Sequence, residues 1–248
     1  MIPQSKGKMF LADERGLNET DWFRSYNTFN FGRYQHEHKN PFGSLYALNE
    51  DTLAGNSSLK WTIEENTDVI LIPVVGAIGF KDSNENAGVV EPGMIQVISL
   101  AAGAGYEVIN TCPDQLVKYL QIWIKNPENQ PFLSQWSAFD LNSYQLADIF
   151  HQYSPARPGY SVAIAKLEGR QEDAYYKKHP ENGVFIFALQ GALEVQYRLM
   201  HEGDGLALWD SEEVEFEALS NDAILLIIEV PLDSNLVMMP VRTYLPPK

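Results

Sequence analysis

The chain has 248 residues, 45% of them hydrophobic, with a formal charge of −15 and an isoelectric point near 4.7. That length suits one large domain or two modest ones with real cores, and the acidity excludes nucleic acid and anionic membranes as partners, since both attract basic surfaces. A single cysteine, Cys112, excludes an internal disulfide framework and makes a reducing cytoplasm the expected compartment.

No apolar run approaches the roughly 18 residues of a membrane span, and the first residues lack a signal-like apolar core, so a soluble protein is expected. Residues 1–20 are polar and predict a partly ordered arm. Phe29-Asn30-Phe31 and Ser44 to Leu48 read as short strands flanking a wet loop from Gln35 to Asn40. That loop holds His36-Glu37-His38. Two histidines at i and i+2 share one side of a strand and can share a metal. The loop has no strand-forming residues around them, however, and a solvated loop is the favoured reading.

The densest strand signal follows. Val69 to Val75 is an apolar run closed by Gly76. A polar connection leads to Val89 through Ser99, a strand launched from Pro92-Gly93. The pattern recurs at Val184 to Gln190, closed by Gly191 and followed by Glu202 to Leu208. Gly76 and Gly191 lie 115 residues apart, which predicts two copies of one all-β unit. Val117 to Ile124 mixes alternation with a buried end, as an inner-sheet strand does.

Pro127, Pro131, Pro155, Pro158 and Gly159 punctuate a connecting stretch. Leu141 to Tyr153 within it suits a short helix or a strand equally. The aromatic and apolar residues there, among them Phe132, Trp136, Phe139, Tyr144 and Phe150, predict that the stretch packs and does not swing free. Beyond it, Leu193 to Leu199 and Val214 to Ala218 alternate as half-buried strands, and Ala223 to Val230 is a continuous buried run. Many short strands with regular turn signals mean a sandwich or barrel, and the repeat means two of them.

At this point the chain resembles the pirin family, the bicupins that include bacterial quercetin 2,3-dioxygenase-like proteins. Ser25-Tyr26-Asn27-Thr28-Phe29-Asn30-Phe31 stands where the family tends to read Ser-Trp-His-Thr-Phe-Ser-Phe. Asp82-Ser83, Pro92-Gly93, Gln96 to Ser99, Tyr119 to Ile124 and Asp204 to Asp210 follow in the family's order, from about residue 9 to residue 232. The resemblance implies an all-β chain of two tandem cupin barrels of the jelly-roll, RmlC-like type. Residues 1–125 would form the N-terminal pirin-like cupin, 126–159 the connection, and 160–248 the C-terminal, quercetinase-like cupin.

It also implies one transition metal, such as iron, held in the N-terminal cup by three histidines and one glutamate. Two of those histidines should fall 14 and 12 residues before Gly76, where Thr62 and Glu64 stand. The other His and the Glu should fall 13 and 15 residues after Gly93, where Tyr106 and Val108 stand. A divalent ion needs about four well-placed N, O or S donors. The expectation is therefore a degenerate site with no cofactor, whose cup keeps a pocket lined by Thr62, Glu64, Tyr106 and Tyr46. The same count in the second cup gives Lys177 and His179, with Phe216 and Ala218 later, so His179 reads as a rim or surface residue.

The implied function is non-catalytic binding of a small molecule or a protein. Two enzyme readings stand beside it: a pirin-type oxygenase, or a metal-free acid–base enzyme using Glu64 and Tyr106. No Gly-x-Ser-x-Gly elbow, phosphate-cradling loop or Cys-x-x-Cys pair is present. Cys112 with His151 supplies the composition of a thiol–imidazole pair, but Cys112 reads better as a small buried residue.

Overall fold

Gly76 (φ 72°) and Gly191 (φ 80°) end two long apolar strands in the left-handed region, where a Cβ is penalised. The strands they end occupy matching places in two copies of one β architecture. The computed structural model of the protein describes residues 5–126, 135–140, 143–149 and 159–232.

In chain order the first strands are β1 (Gly7–Phe10), β2 (Gly16–Glu19), β3 (Phe23–Asn27), β4 (Leu45–Leu53), β5 (Ser58–Thr62), β6 (Thr67–Val75) and β7 (Ile78–Asp82). Then come β8 (Ala87–Val90), β9 (Met94–Leu100), β10 (Gly105–Ile109), β11 (Val117–Lys125), β12 (Gln135–Ala138), β13 (Leu146–Asp148) and β14 (Ser161–Leu167). The last are β15 (Glu172–Tyr176), β16 (Asn182–Gln190), β17 (Ala192–Val195), β18 (Arg198–His201), β19 (Gly205–Leu208), β20 (Glu213–Ala218) and β21 (Ala223–Pro231).

Among the described residues, 15–138 form one compact unit, and 5–14 with 139–232 form the other. The first unit pairs a seven-stranded sheet, β12-β9-β6-β11-β4-β3-β2, with a four-stranded one, β5-β10-β7-β8. The second pairs β1-β19-β16-β21-β14-β13 with β15-β20-β17-β18. All the pairings are antiparallel, and the strand order repeats from one unit to the other. Each unit buries one apolar cluster between its sheets, around Trp61, Leu71 and Trp123 in the first and Ile186, Leu193 and Leu225 in the second. Two antiparallel sheets closed over an inner core make a jelly-roll barrel, and the chain has two.

The domain boundary differs from the sequence expectation of 1–125 for the N-terminal cupin. β1 pairs with β19, from Gly7 opposite Leu208 to Phe10 opposite Gly205, so the chain's first strand completes the second barrel. The Ala12 amide donates to Asp204 Oδ1 at 2.8 Å and fixes the same segment. An edge strand needs backbone partners more than an apolar pattern of its own, which is why this polar arm did not read as a strand. β12 and β13 lie inside the expected connection and extend the first and second units respectively. Leu141 to Tyr153 thus contains a strand, and His151, Phe132 and Phe150 fall outside the described residues.

Two further segments differ. Leu193 to Leu199 is a hairpin, because Gln196 (φ 48°) and Tyr197 (φ 60°) both turn left-handed between β17 and β18. Val89 to Ser99 is likewise two strands, with Glu91-Pro92-Gly93 passing the chain from one sheet to the other. Among the described residues no helix is long and apolar enough to cross a membrane.

Candidate functional site

Side chains alternate across a strand, so pairing decides which residues face the barrel interior. β5 and β10 pair with Tyr106 opposite Trp61 and Val108 opposite Leu59. Leu59, Trp61, Ile63, Tyr106 and Val108 are all buried in the first unit's core. Thr62 stands opposite Gly105 on the other face, and Thr62 and Glu64 are exposed. The structure therefore brings Tyr106 and Val108 inside, opposite Trp61 and Leu59, with Ile63 buried in the same core.

This corrects the pocket expected around Thr62 and Glu64. Counting back from Gly76 runs through the turn at 64–66, whose length strand pairing does not fix. A shift of one residue moves a whole strand to its opposite face. The acid–base pair of Glu64 and Tyr106 is likewise not assembled, because the two side chains point to opposite sides. Glu107, between Tyr106 and Val108, faces outward, where Lys81 approaches it at 2.9 Å and Ser58 donates to it at 2.5 Å.

The interior is occupied by rings. Trp123 packs edge-on against Phe31 (5.0 Å between centroids), Tyr46 (5.6 Å), Trp61 (5.8 Å) and Tyr106 (6.3 Å). Such edge-to-face pairs add about 0.5–1.5 kcal/mol each beyond burial. Trp123 Nε1 donates to the Tyr106 hydroxyl at 2.8 Å, and that hydroxyl donates to Gln121 Oε1. Burial pushes the Tyr106 phenol well above its ordinary pKa, against the smaller pull of the Trp123 bond. Tyr46 is raised by burial too, and shares a hydrogen bond with Thr67.

Next to this aromatic layer lies a polar floor that sequence reading missed. Asn49 and Asp51 of β4 stand opposite Gln121 and Tyr119 of β11, and all four side chains are fully buried. Asn49 Oδ1 and Nδ2, both Asp51 oxygens, Tyr119 OH and Gln121 Nε2 have no hydrogen-bond partner within the protein. Burial pushes the Asp51 carboxyl up to about 7, although Ser25 and Tyr119 flank it closely enough to favour its charge without forming a well-directed bond. An unpaired buried polar group costs about 1–3 kcal/mol. In β4 the two residues sit inside an unbroken polar run, Asn49-Glu50-Asp51-Thr52, which marks no inward face until the strand is paired with β11.

In the second unit the interior is aliphatic and aromatic. Lys177 Nζ donates to the carbonyls of Pro180 (2.7 Å) and Asn182 (2.9 Å), and the His179 side chain is exposed. What anchors this loop is Glu229, fully buried, which accepts from the His179 and Lys178 amides at 2.8 Å and from Tyr175 OH at 2.7 Å. His36 and His38 are exposed and contact each other and Glu37. Among the described residues, no group of three or more His, Cys, Asp or Glu gathers around a point that could hold a metal. Cys112 is half-buried and free. A cleft of about 540 Å³ opens beside β8, lined in part by Phe80, Val90, Met94 and Gln96.

Two barrels of this order in one chain define a bicupin. The Pirin family profile matches residues 11–124, and the quercetinase C-terminal cupin domain profile matches residues 160–230. The chain belongs to the pirin family. It is 25% identical over 224 residues to a quercetin 2,3-dioxygenase of Escherichia coli K12, covering 87% of this chain and 95% of that protein. It is 26% identical over 227 residues to a putative quercetin 2,3-dioxygenase of Pseudomonas aeruginosa, covering 87% of this chain and 96% of the relative. Among solved structures, E. coli YhhW superposes with a TM-score of 0.84 at 21% identity, over 92% of this chain and 99% of that one. The nickel(II) complex of the same bacterial pirin gives 0.78 at 21% identity, over 92% and 100%.

The metal site implied by the family requires imidazole and carboxylate donors on the inward face of β5 and β10. Trp61, Ile63 and Val108 offer no side-chain lone pair to a metal there, and the Tyr106 hydroxyl is committed to Trp123 and Gln121. The residues present do not fit a transition metal at this position.

Proposed function

We propose that this pirin is a non-catalytic binding protein that works without a transition metal, regulating or carrying a small molecule or protein in the cytoplasm. The observation that carries the reading is the inward set Trp61, Ile63, Tyr106 and Val108, packed around Trp123 where the family's donors would converge. A fold carries no function by itself, and oxygenase chemistry needs the residues that are replaced here. The quercetin 2,3-dioxygenase names of relatives 25–26% identical support the competing reading, an oxygenase.

The test is metal analysis of protein purified without chelator, followed by oxygen uptake with quercetin after adding iron, nickel, copper or manganese. The expected result is substoichiometric metal and no uptake above the protein-free rate. Stoichiometric metal inside the first barrel, with turnover, would overturn the proposal.

A further inference from the structure

The polar floor of the first barrel is not explained by lost metal ligands. None of its four residues, Asn49, Asp51, Tyr119 and Gln121, stands at a ligand position, and all four face inward from paired strands. Buried polar groups in native proteins are almost always paired. Here six side-chain atoms on one patch are not paired within the protein, while the neighbouring Tyr106, Trp123 and Asn27 side chains are. The unpaired set is mixed. The amide nitrogens of Asn49 and Gln121 and the Tyr119 hydroxyl can donate, and Asn49 Oδ1 and the Asp51 oxygens can accept.

Charge narrows the guest further. The cations nearest in register, Arg15 and Lys118, reach Glu50 on the opposite face of β4, at 3.6 and 2.8 Å. An anion would find no counter-charge in the floor. A cation would meet two amide NH2 groups and a carboxyl whose burial favours its uncharged form. Residues two apart on a strand are separated by about 7 Å, so one water, reaching about 2.8 Å to each partner, does not span from the Asp51 pair to the Asn49 pair.

We infer that Asn49, Asp51, Tyr119 and Gln121 form a buried site for an uncharged guest that both donates and accepts hydrogen bonds. That chemistry is met by a held cluster of at least two waters or by one small carboxamide. The site goes beyond the metal-free reading and stands whether or not that reading does.

An atomic-resolution crystal structure of the full chain is the direct test. The expected result is non-protein density within hydrogen-bond distance of at least three of the four side chains. Native mass spectrometry of the same preparation separates the two sources: an added mass lost on denaturation marks an organic guest, and no added mass marks water. Acetamide, added to the refolding buffer, is the probe for the organic arm. Asn49→Leu supplies a second readout, because it removes two of the unpaired atoms at nearly constant volume. With a guest bound, the variant should melt about 3–6 °C lower, since the guest loses a partner. A dry interior in which the four side chains pair with one another, or an Asn49→Leu variant at least as stable as the parent, would overturn the inference.

Discussion

The indole of Trp123 donates to the hydroxyl of Tyr106 at 2.8 Å, joining the central strand β11 to β10 across the inside of the first barrel. The same hydroxyl donates onward to Gln121, so one oxygen ties the aromatic layer to the polar floor. Tyr106 is thus a structural bridge inside the barrel.

Removing that oxygen should therefore cost more than an ordinary phenol. Tyr106→Phe leaves the Trp123 N–H and the Gln121 carbonyl buried without their partner, at about 1–3 kcal/mol for each orphaned group. The expected outcome is a urea midpoint shifted down with an unchanged m-value. A loss below about 0.5 kcal/mol would show that the bridge contributes nothing to stability.

Asp51 gives the stability a pH dependence of predictable sign. Burial raises its pKa from 3.8 to about 7, with Tyr119, Tyr106 and Glu50 the titratable groups around it. Between those values the native state holds a proton that the unfolded state has released, so stability falls as pH rises from about 4 to about 7 and then levels off. Asp51→Asn should flatten that slope and make the variant more stable than the parent at pH 8, by a margin of order 1–4 kcal/mol. Parallel stability curves for the two proteins would contradict this.

The first strand's place in the second barrel predicts an unequal effect of truncation. Deleting residues 1–10 removes β1 and its pairing from Gly7 to Phe10, and bares β19 as an edge. The second unit should melt lower and aggregate on heating, while the first unit's transition stays put. Cleavage between 126 and 135 should leave two fragments that co-elute, because the N-terminal piece still carries β1. Fragments that separate as monodisperse species without denaturant would rule this out.

The architecture was legible in the sequence and the site was only half so. Apolar runs ended by Gly76 and Gly191 repeat at a fixed spacing, which is a local signal that tertiary contacts rarely override. Tyr106 and Val108 face the barrel interior, and the path to them from Pro92-Gly93 is short, along β9 and a tight turn to β10. Thr62 and Glu64 were misplaced because their path from Gly76 crosses a turn, and a single residue there decides which face looks inward. The polar floor was missed for a different reason. Asn49, Asp51, Tyr119 and Gln121 gain meaning only when β4 and β11 are laid side by side, since Asp51 and Tyr119 are 68 residues apart in sequence and Asn49 and Gln121 are 72 apart.

The inward register can be tested by transplanting metal ligands. Thr62→His with Glu64→His places two imidazoles at exposed positions, at the end of β5 and in the turn after it, where they can chelate zinc from solvent. Adding Tyr106→His supplies a third imidazole, but on the other side of the sheet if the pairing of Tyr106 with Trp61 holds. Zinc affinity should then change by no more than about twofold, as for independent sites. The core substitution itself should cost about 2–4 kcal/mol, so the fold of the triple variant is checked by its denaturation transition. Had the count from Gly76 been right, the third histidine would converge with the other two and tighten binding roughly tenfold or more. The complementary set, Ile63→His with Tyr106→His and Val108→Glu, places its ligands on one inward face and should gain thermal stability when zinc is added. Tight, cooperative binding by the Thr62, Glu64 and Tyr106 set would mean that β5 presents its other face to the barrel.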